Sequence, residues 1–563
     1  MWRHYLILSA LLSLFPLICF PQDKNPDNQL RGIIRQYGQV EVTIPYPGLK
    51  SADRLSRNVS ILSVKDNIIF ISLSPLTVEW FINQGFIYSI PEHRVVRGIE
   101  SATSSIQAMN WDKYPTYPQY DSIMQAFNMN YPALCRLDTI GTTIDGRLVL
   151  AIRLTGAIGN EADKPNVFYT STIHGDETGG FVMMLHLADY LLNNYGNNER
   201  VTSLMDNLNI WINPLANPDG TYTSGKSITS PVRYNAEGED LNRNFPDPET
   251  PHTIQQKETA DMVRFLKKHR FVLSANFHSG DEVVNYPWDR WPRLHADNDW
   301  FYSVSRKYAD TVHTGSKQGY MTFMDNGVTN GYEWYLLYGG RQDYVTYSLQ
   351  GREVTIELDN KYITPSSQLQ SLWQENWRSM VGYLENALFG IRGKVVSAVT
   401  SVPLKAQVFI AGHDKDSSQV FSDSLTGNFT RMVSPGIWNL SFSSPGFRDT
   451  VMSNVEVVSQ QKIHLDVKMK PISYDTTKNG TPLLYPNPAL TRFNALLPAN
   501  LAGEITISII NYYGELISEE HNTYTPGFPV LIFTDKFPPG TYTVVFKNLI
   551  KGSSCNGRIV VIK

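Results

Sequence analysis

Val167-Phe168-Tyr169-Thr170-Ser171-Thr172-Ile173, followed at once by His174-Gly175-Asp176-Glu177, is the stretch on which the reading of this chain turns. A short run rich in apolar, aromatic and β-branched residues, closed by a glycine, has the pattern of a buried strand. It delivers an imidazole and a carboxylate three residues apart at its end, which is the layout of half a zinc site. Zinc takes nitrogen, sulfur or carboxylate oxygen at about 2.0–2.2 Å, and a catalytic site keeps three protein ligands with a fourth position open. A third ligand is therefore required. His278 closes a second strand-like run, Phe271-Val272-Leu273-Ser274-Ala275-Asn276-Phe277, and is followed by the turn signal Ser279-Gly280. Ligands gather outside the carboxyl ends of strands in open α/β sheets, so His174, Glu177 and His278 can converge there across about a hundred residues of sequence.

Further motifs follow in order: Asn217-Pro218-Asp219-Gly220, Asp240-Leu241-Asn242-Arg243-Asn244-Phe245-Pro246-Asp247, Asn285-Tyr286-Pro287-Trp288-Asp289, the segment from Trp334 to Tyr344, and Thr355-Ile356-Glu357-Leu358. Together with the two histidine motifs they make residues from about 107 to 389 resemble the zinc metallocarboxypeptidases of the carboxypeptidase A/B and N/E superfamily, closer to the N/E branch.

The resemblance implies one Zn2+ held by His174, Glu177 and His278, and Glu357 as general base for a zinc-activated water. One carboxylate then suffices for proton traffic, and no covalent intermediate is needed. Arg233, nine positions before Asn242, matches the family arginine that stabilises the oxyanion, a large electrostatic effect when the guanidinium is fixed in place. Asn242 and Arg243 match the pair that recognises the terminal carboxylate, which a planar guanidinium grips through parallel hydrogen bonds. Tyr335 matches the tyrosine that closes over substrate, and Asp240 the carboxylate that orients the first zinc histidine.

Asp289 stands eleven positions after His278, where the branch that removes basic residues has its pocket aspartate, and Gln342 matches a polar residue of the same pocket. C-terminal Lys and Arg are the expected substrates, since a carboxylate floor favours a cation over an apolar side chain. Arg341 departs from the branch, which often has methionine there. A cation at the pocket would weaken selectivity for basic side chains.

The expected fold is α/β: a mixed sheet of the eight-stranded carboxypeptidase type, flanked by helices, with a small N-terminal domain and two all-β sandwiches behind it. Residues 1–21 have the basic start and short apolar core of a signal peptide. Residues 22–106 read as a propeptide-like domain with alternating segments such as Gln39 to Ile44 and Asn67 to Leu73. The catalytic domain is expected at 107–389, a transthyretin-like or regulatory-like β-sandwich at 390–471 and a linker at 472–481. Residues 482–563, with Tyr485-Pro486-Asn487-Pro488, Gly540-Thr541-Tyr542 and a basic end at Lys563, resemble the sorting domain of type IX secretion cargo.

Length and composition suit a large exported enzyme with accessory domains: 563 residues, 42% hydrophobic, 18% charged, net charge −4. No basic stripe or base-stacking module suggests nucleic acid as a partner, and no run after the signal reaches the roughly 20 apolar residues of a membrane span. Cys19, Cys135 and Cys555 do not form a disulfide framework. The expected partners are peptide or protein C-termini and the type IX secretion machinery, at the surface of, or outside, a Gram-negative bacterium. Two other classes fit parts of the pattern: a zinc amidase acting on cell-wall peptides or acylated amino acids, and a non-catalytic surface binding protein on the same fold.

Overall fold

The computed structural model describes residues 25–91, 98–159, 162–223, 225–249, 254–472 and 480–562. The signal stretch 1–21, Cys19, the greater part of the expected linker 472–481 and Lys563 lie outside the described residues.

The chain begins with the helix Pro26–Tyr37 and the strands β1 (Val40–Pro45), β2 (Ser60–Lys65) and β3 (Ile68–Leu73), which form an antiparallel sheet in the order β1-β3-β2. Asn25 caps the helix by accepting from the Asp27 N–H at 2.9 Å, with proline in the first turn. Val42, Ile44, Ile69 and Ile71 bury one face of the sheet against Leu30, Leu55 and Phe81 of the surrounding helices. β2 lies at the sheet edge.

The central unit is an eight-stranded mixed sheet. Its strands are β4 (Cys135–Thr142), β5 (Leu148–Leu154), β6 (Asn166–Ser171), β7 (Asn209–Asn213), β8 (Leu273–His278), β9 (Glu282–Tyr286), β10 (Val328–Asn330) and β11 (Arg352–Leu358). Their spatial order is β10-β9-β11-β8-β6-β7-β5-β4. β11, β8, β6 and β7 are parallel to one another, and β9 and β5 flank them antiparallel. Every residue of β8 and β11 is buried, as expected of parallel strands covered on both faces.

Alternation along β6 shows how the layers form. Val167 and Tyr169 enter one core with the helices Gly179–Asn194 and Leu369–Glu385, whereas Phe168 enters the other with Phe265 of the helix Lys257–His269. His186, on the helix Gly179–Asn194, is stacked between Trp111 and Trp373 with ring centroids 5.6 and 3.9 Å away, so its role is packing.

Behind this unit, Gly390–Ser397 pairs with Asn428–Arg431 and Lys462–Met469, facing a four-stranded sheet built from Val420–Phe421, Gln407–Ile410, Gly436–Ser443 and Thr450–Val457. A further pair of sheets, three and four strands, is made from residues 483–561 around its own core of Phe493, Ile507, Val544 and Phe546. Both pairs are all-β, as expected.

The first sandwich is fastened to the central unit through Asp297. This buried carboxylate accepts from Arg352 Nη2 at 2.6 Å, Arg431 Nη1 and Nη2 both at 2.9 Å, and His413 Nε2 at 2.8 Å. Asp297, His413 and Asp414 lie close enough together to suggest a cation site. Arg431 also donates to Asp414 at 2.5 Å, so guanidinium groups already supply the positive charge there.

Candidate active site

The parallel register brings the first residues together. β11 pairs with β8 so that Glu357 is opposite His278, and β8 in turn pairs with β6, placing Phe277 opposite Ser171. All three strands end at the same edge, and His174 follows β6 by three residues. The turn between them is strained: Thr172 is fully buried with φ 59, an unfavourable region for a β-branched residue. It is held by its hydroxyl donating to the Glu177 carbonyl at 3.1 Å. Gly175 is required by close approach, because a Cβ there would stand 2.2 Å from the backbone of Gly220 in the Asn217–Gly220 turn.

His174 Nδ1 lies 2.7 Å from Glu177 Oε1, His278 Nδ1 2.8 Å from Glu177 Oε2, and the two Nδ1 atoms are 3.1 Å apart. Asp240 Oδ1 accepts from His174 Nε2 at 3.1 Å. With its proton on Nε2 and donated to Asp240, His174 has the Nδ1 lone pair to offer a metal ion shared with Glu177. Two imidazole nitrogens and a carboxylate thus converge at hydrogen-bond distance in a buried site, an arrangement that can hold a cation at its centre. The donors, two nitrogens and one carboxylate, suit zinc.

Charges around this centre are arranged in two layers. Burial raises the pKa of any carboxyl group, yet His174 and His278 hold Glu177 well below the ordinary range. Asp240 is held down against the same burial by Arg233 and His174. Arg233 connects them, donating from Nη1 to Glu177 Oε1 at 3.2 Å and from Nε to Asp240 Oδ2 at 3.0 Å. Glu357 goes the other way: burial, with Glu177 and Asp281 as neighbouring negative charges, pushes its carboxyl well above the usual range.

The cavity lined by these groups also receives Asn242, Arg243, Asp289 and Tyr335. Asn242 Oδ1 accepts from the Arg341 N–H at 3.0 Å, which leaves the NH2 end of the amide to donate into the cavity. Asp289 is buried, and Oδ1 accepts from Asn285 Nδ2 and Gln342 Nε2, both at 2.9 Å. Burial raises its pKa to about 6. Gly331 makes room for it, since a Cβ there would meet Asp289 Oδ1 at 1.9 Å.

Gln342 therefore acts on the pocket through Asp289. The concern about Arg341 is corrected: its guanidinium is turned into the core, donating to Glu353 Oε2 at 3.2 Å and lying over the Phe168 ring, and it presents no charge to the cavity. The α-turn on which it sits directs the side chain beneath the sheet instead of into the cleft.

Sequence reasoning missed the contribution of the N-terminal sheet. β2 crosses the cavity: Ser60 Oγ donates to Asp240 Oδ2 at 2.7 Å, Arg243 Nη2 donates to the Ile61 carbonyl at 2.8 Å, Leu62 lines the wall, and Lys65 forms an ion pair with Asp281. Gln39 joins in by donating to Asp176 at 3.2 Å and accepting from the Arg233 N–H at 2.8 Å. Tyr335 packs against the apolar core of the N-terminal sheet, and burial raises its hydroxyl to about 12. What is left of the cavity is about 30 Å³, room for about one or two waters.

The fold and this constellation define a metallocarboxypeptidase type of protein. Residues 120–379 match the family model described as zinc carboxypeptidase. The chain is 30% identical over 359 residues to the human carboxypeptidase N catalytic chain, covering 56% of this chain and 77% of that protein. It is 29% identical over 389 residues to mouse carboxypeptidase M, covering 65% and 87% respectively. With human carboxypeptidase D it shares 30% identity over 432 residues, 73% of this chain but only 30% of the length of that protein. The chain belongs to the zinc carboxypeptidase family.

Proposed function

We propose that this protein is a zinc-dependent exopeptidase that hydrolyses the C-terminal peptide bond of peptides or proteins and prefers C-terminal Lys or Arg. The observation that carries the reading is Asp289, a buried carboxylate on the wall of the cavity that also holds Asn242 and Arg243. In this reading Arg243 and the Asn242 NH2 hold the terminal carboxylate, Asp289 receives the cationic side chain, and Gln342 and Asn285 fix Asp289 in place. His174, Glu177 and His278 would hold zinc, which would supply Lewis acidity and lower the pKa of water. Glu357 accepts a proton and passes it to the leaving amine. Its buried place in the cavity that also holds His174, Glu177 and His278 suits that task. Arg233 faces the charge that develops on the carbonyl oxygen.

Within the expected propeptide-like domain 22–106, residues 25–91 are read as the cover, whereas Ala102 packs into the core of the central unit; the reading is supported by Arg243 being engaged by a backbone carbonyl in place of a carboxylate. Residues 1–21 would direct export. The module 482–563 would serve as a type IX sorting domain, and the surface or exterior of a Gram-negative cell would be the destination. Among the described residues no helix is long and apolar enough to cross a membrane.

The test is release of free amino acid from matched peptides ending in Arg and in Phe, with chelator and with zinc restored. Chelator-reversible release with an Arg/Phe preference that collapses in Asp289→Ala is expected. An unchanged ratio in that variant removes Asp289 from the pocket, and absence of release from every peptide rejects the exopeptidase reading.

A further inference from the structure

β2 touches the cleft at two places four residues apart. At one, the Ile61 carbonyl accepts from Arg243. At the other, the Lys65 ammonium is seated on Asp281, whose side chain is 8% exposed, and lies 4.6 Å from the centre of the Phe323 ring. A strand advances about 3.3 Å per residue, so these two points are separated by roughly 13 Å along the cleft.

Asp281 stands three residues after His278, in the turn from β8 to β9, and lines the same cavity as Glu357. The cavity therefore has a carboxylate-binding arginine at one end and, past Glu357, a carboxylate beside an aromatic ring. That second pairing is a seat for a cation, and here it holds one. The direction of β2 also matters. In a substrate the terminal residue lies at Arg243 and the residues before it run past Glu357, so residue numbers rise toward Arg243. Along β2 they fall toward it. A reversed strand that offers a carbonyl where a carboxylate belongs can occupy these positions without presenting a terminal bond for hydrolysis.

We propose that Asp281 is a specificity-determining residue that takes the cationic side chain of a Lys or Arg one or two positions before the terminal residue, so that C-termini carrying clustered basic residues are the preferred substrates. This inference rests on the exopeptidase reading above. Lys65 is the stand-in for that substrate cation.

The test compares kcat/KM for Arg release by the full chain from peptides with Lys or Ala at the penultimate position, and likewise at the one before it. A cover that opens only part of the time scales all of these values by the same factor, so their ratio is independent of it. The wild type should favour Lys by about two- to fivefold at one of the two positions, the size expected of an ion pair at a partly solvated site. In Asp281→Asn the ratio should fall to about one, whatever the shared effect on all rates of losing the Lys65 ion pair and a negative neighbour of Glu357. In Lys65→Ala all rates should rise with the Lys/Ala ratio unchanged. A purely structural Asp281 would lower every rate together. A wild-type ratio near one at both positions, or a ratio that survives Asp281→Asn, overturns the proposal.

Calorimetric Kd values for the same peptides on Glu357→Gln, and on Glu357→Gln combined with Asp281→Asn, read the Lys/Ala ratio without turnover. If the wild type releases no amino acid from any peptide, the exopeptidase reading fails by itself, and the Kd ratios still decide the role of Asp281.

Discussion

Glu357 and Asp289 are both buried carboxyl groups, and the proposed function gives them different tasks. Glu357 faces Glu177 and Asp281, so it holds a proton more readily than an exposed glutamate and can hand it on. Glu357→Gln keeps the shape and hydrogen bonding of the side chain but not its basicity. Turnover should drop about 10²–10⁴-fold, with zinc content by elemental analysis unchanged. Asp289 has its pKa raised to about 6 by burial. It is half charged near that value, so selectivity for a cationic terminus should be full from about one pH unit above it and fade as the pH falls through it. The ratio of kcat/KM for Arg- over Phe-terminated peptides reads this on the free enzyme, and a ratio flat from pH 5 to 8 would contradict it. Asp240 supports two residues at once, His174 and Arg233. Asp240→Ala should weaken zinc affinity about 10–100-fold in a competitive chelator titration.

At the level of strands and turns, much of the site could be read beforehand because it depends on chain-local patterns. The apolar runs before His174 and His278 announce β6 and β8, and parallel pairing carries their ends to one edge. Glu357 falls in line for the same reason, sitting near the end of β11 opposite His278. Other features depend on direction, which residue spacing does not encode. Whether Arg341 points into the cleft or beneath the sheet is decided by its partner Glu353, twelve residues away in sequence and buried alongside Ser274 and Asn276. The Asp297 junction was likewise invisible, since its partners Arg352, His413 and Arg431 are scattered and none belongs to a motif. That junction has a measurable consequence. Asp297→Ala would leave Arg352 a buried charge without its carboxylate and Arg431 with Asp414 alone, a loss of about 3–5 kcal/mol, read as an earlier midpoint in urea denaturation.

Across the whole molecule, the N-terminal sheet and the catalytic unit meet over the cleft through polar contacts. Ser56 Oγ donates to the Leu336 carbonyl at 2.5 Å, and Arg57 lies 3.8 Å from the Tyr338 ring centre while donating to its hydroxyl. β2 has no special composition, so nothing in its alternating sequence marks it as the strand that enters the cleft. Arg57→Glu would place a carboxylate beside Asp53, reverse the charge over Tyr338 and loosen the cover. Peptidase activity of the full chain should rise several-fold, with KM falling more than kcat rises, since a cover taxes apparent affinity by the fraction of time the cleft is open. Activity equal to wild type would mean that the cover is not limiting.

The position of β2 at the margin of its sheet carries one more implication. Among the described residues it pairs with β3 on one side only, and its other flank is turned to the catalytic unit. Were residues 25–91 set free, that flank would present a row of unsatisfied amide and carbonyl groups, a ready template for joining another chain. A liberated piece of this kind is prone to self-association or rapid degradation, and either fate would make its departure from the cleft hard to reverse.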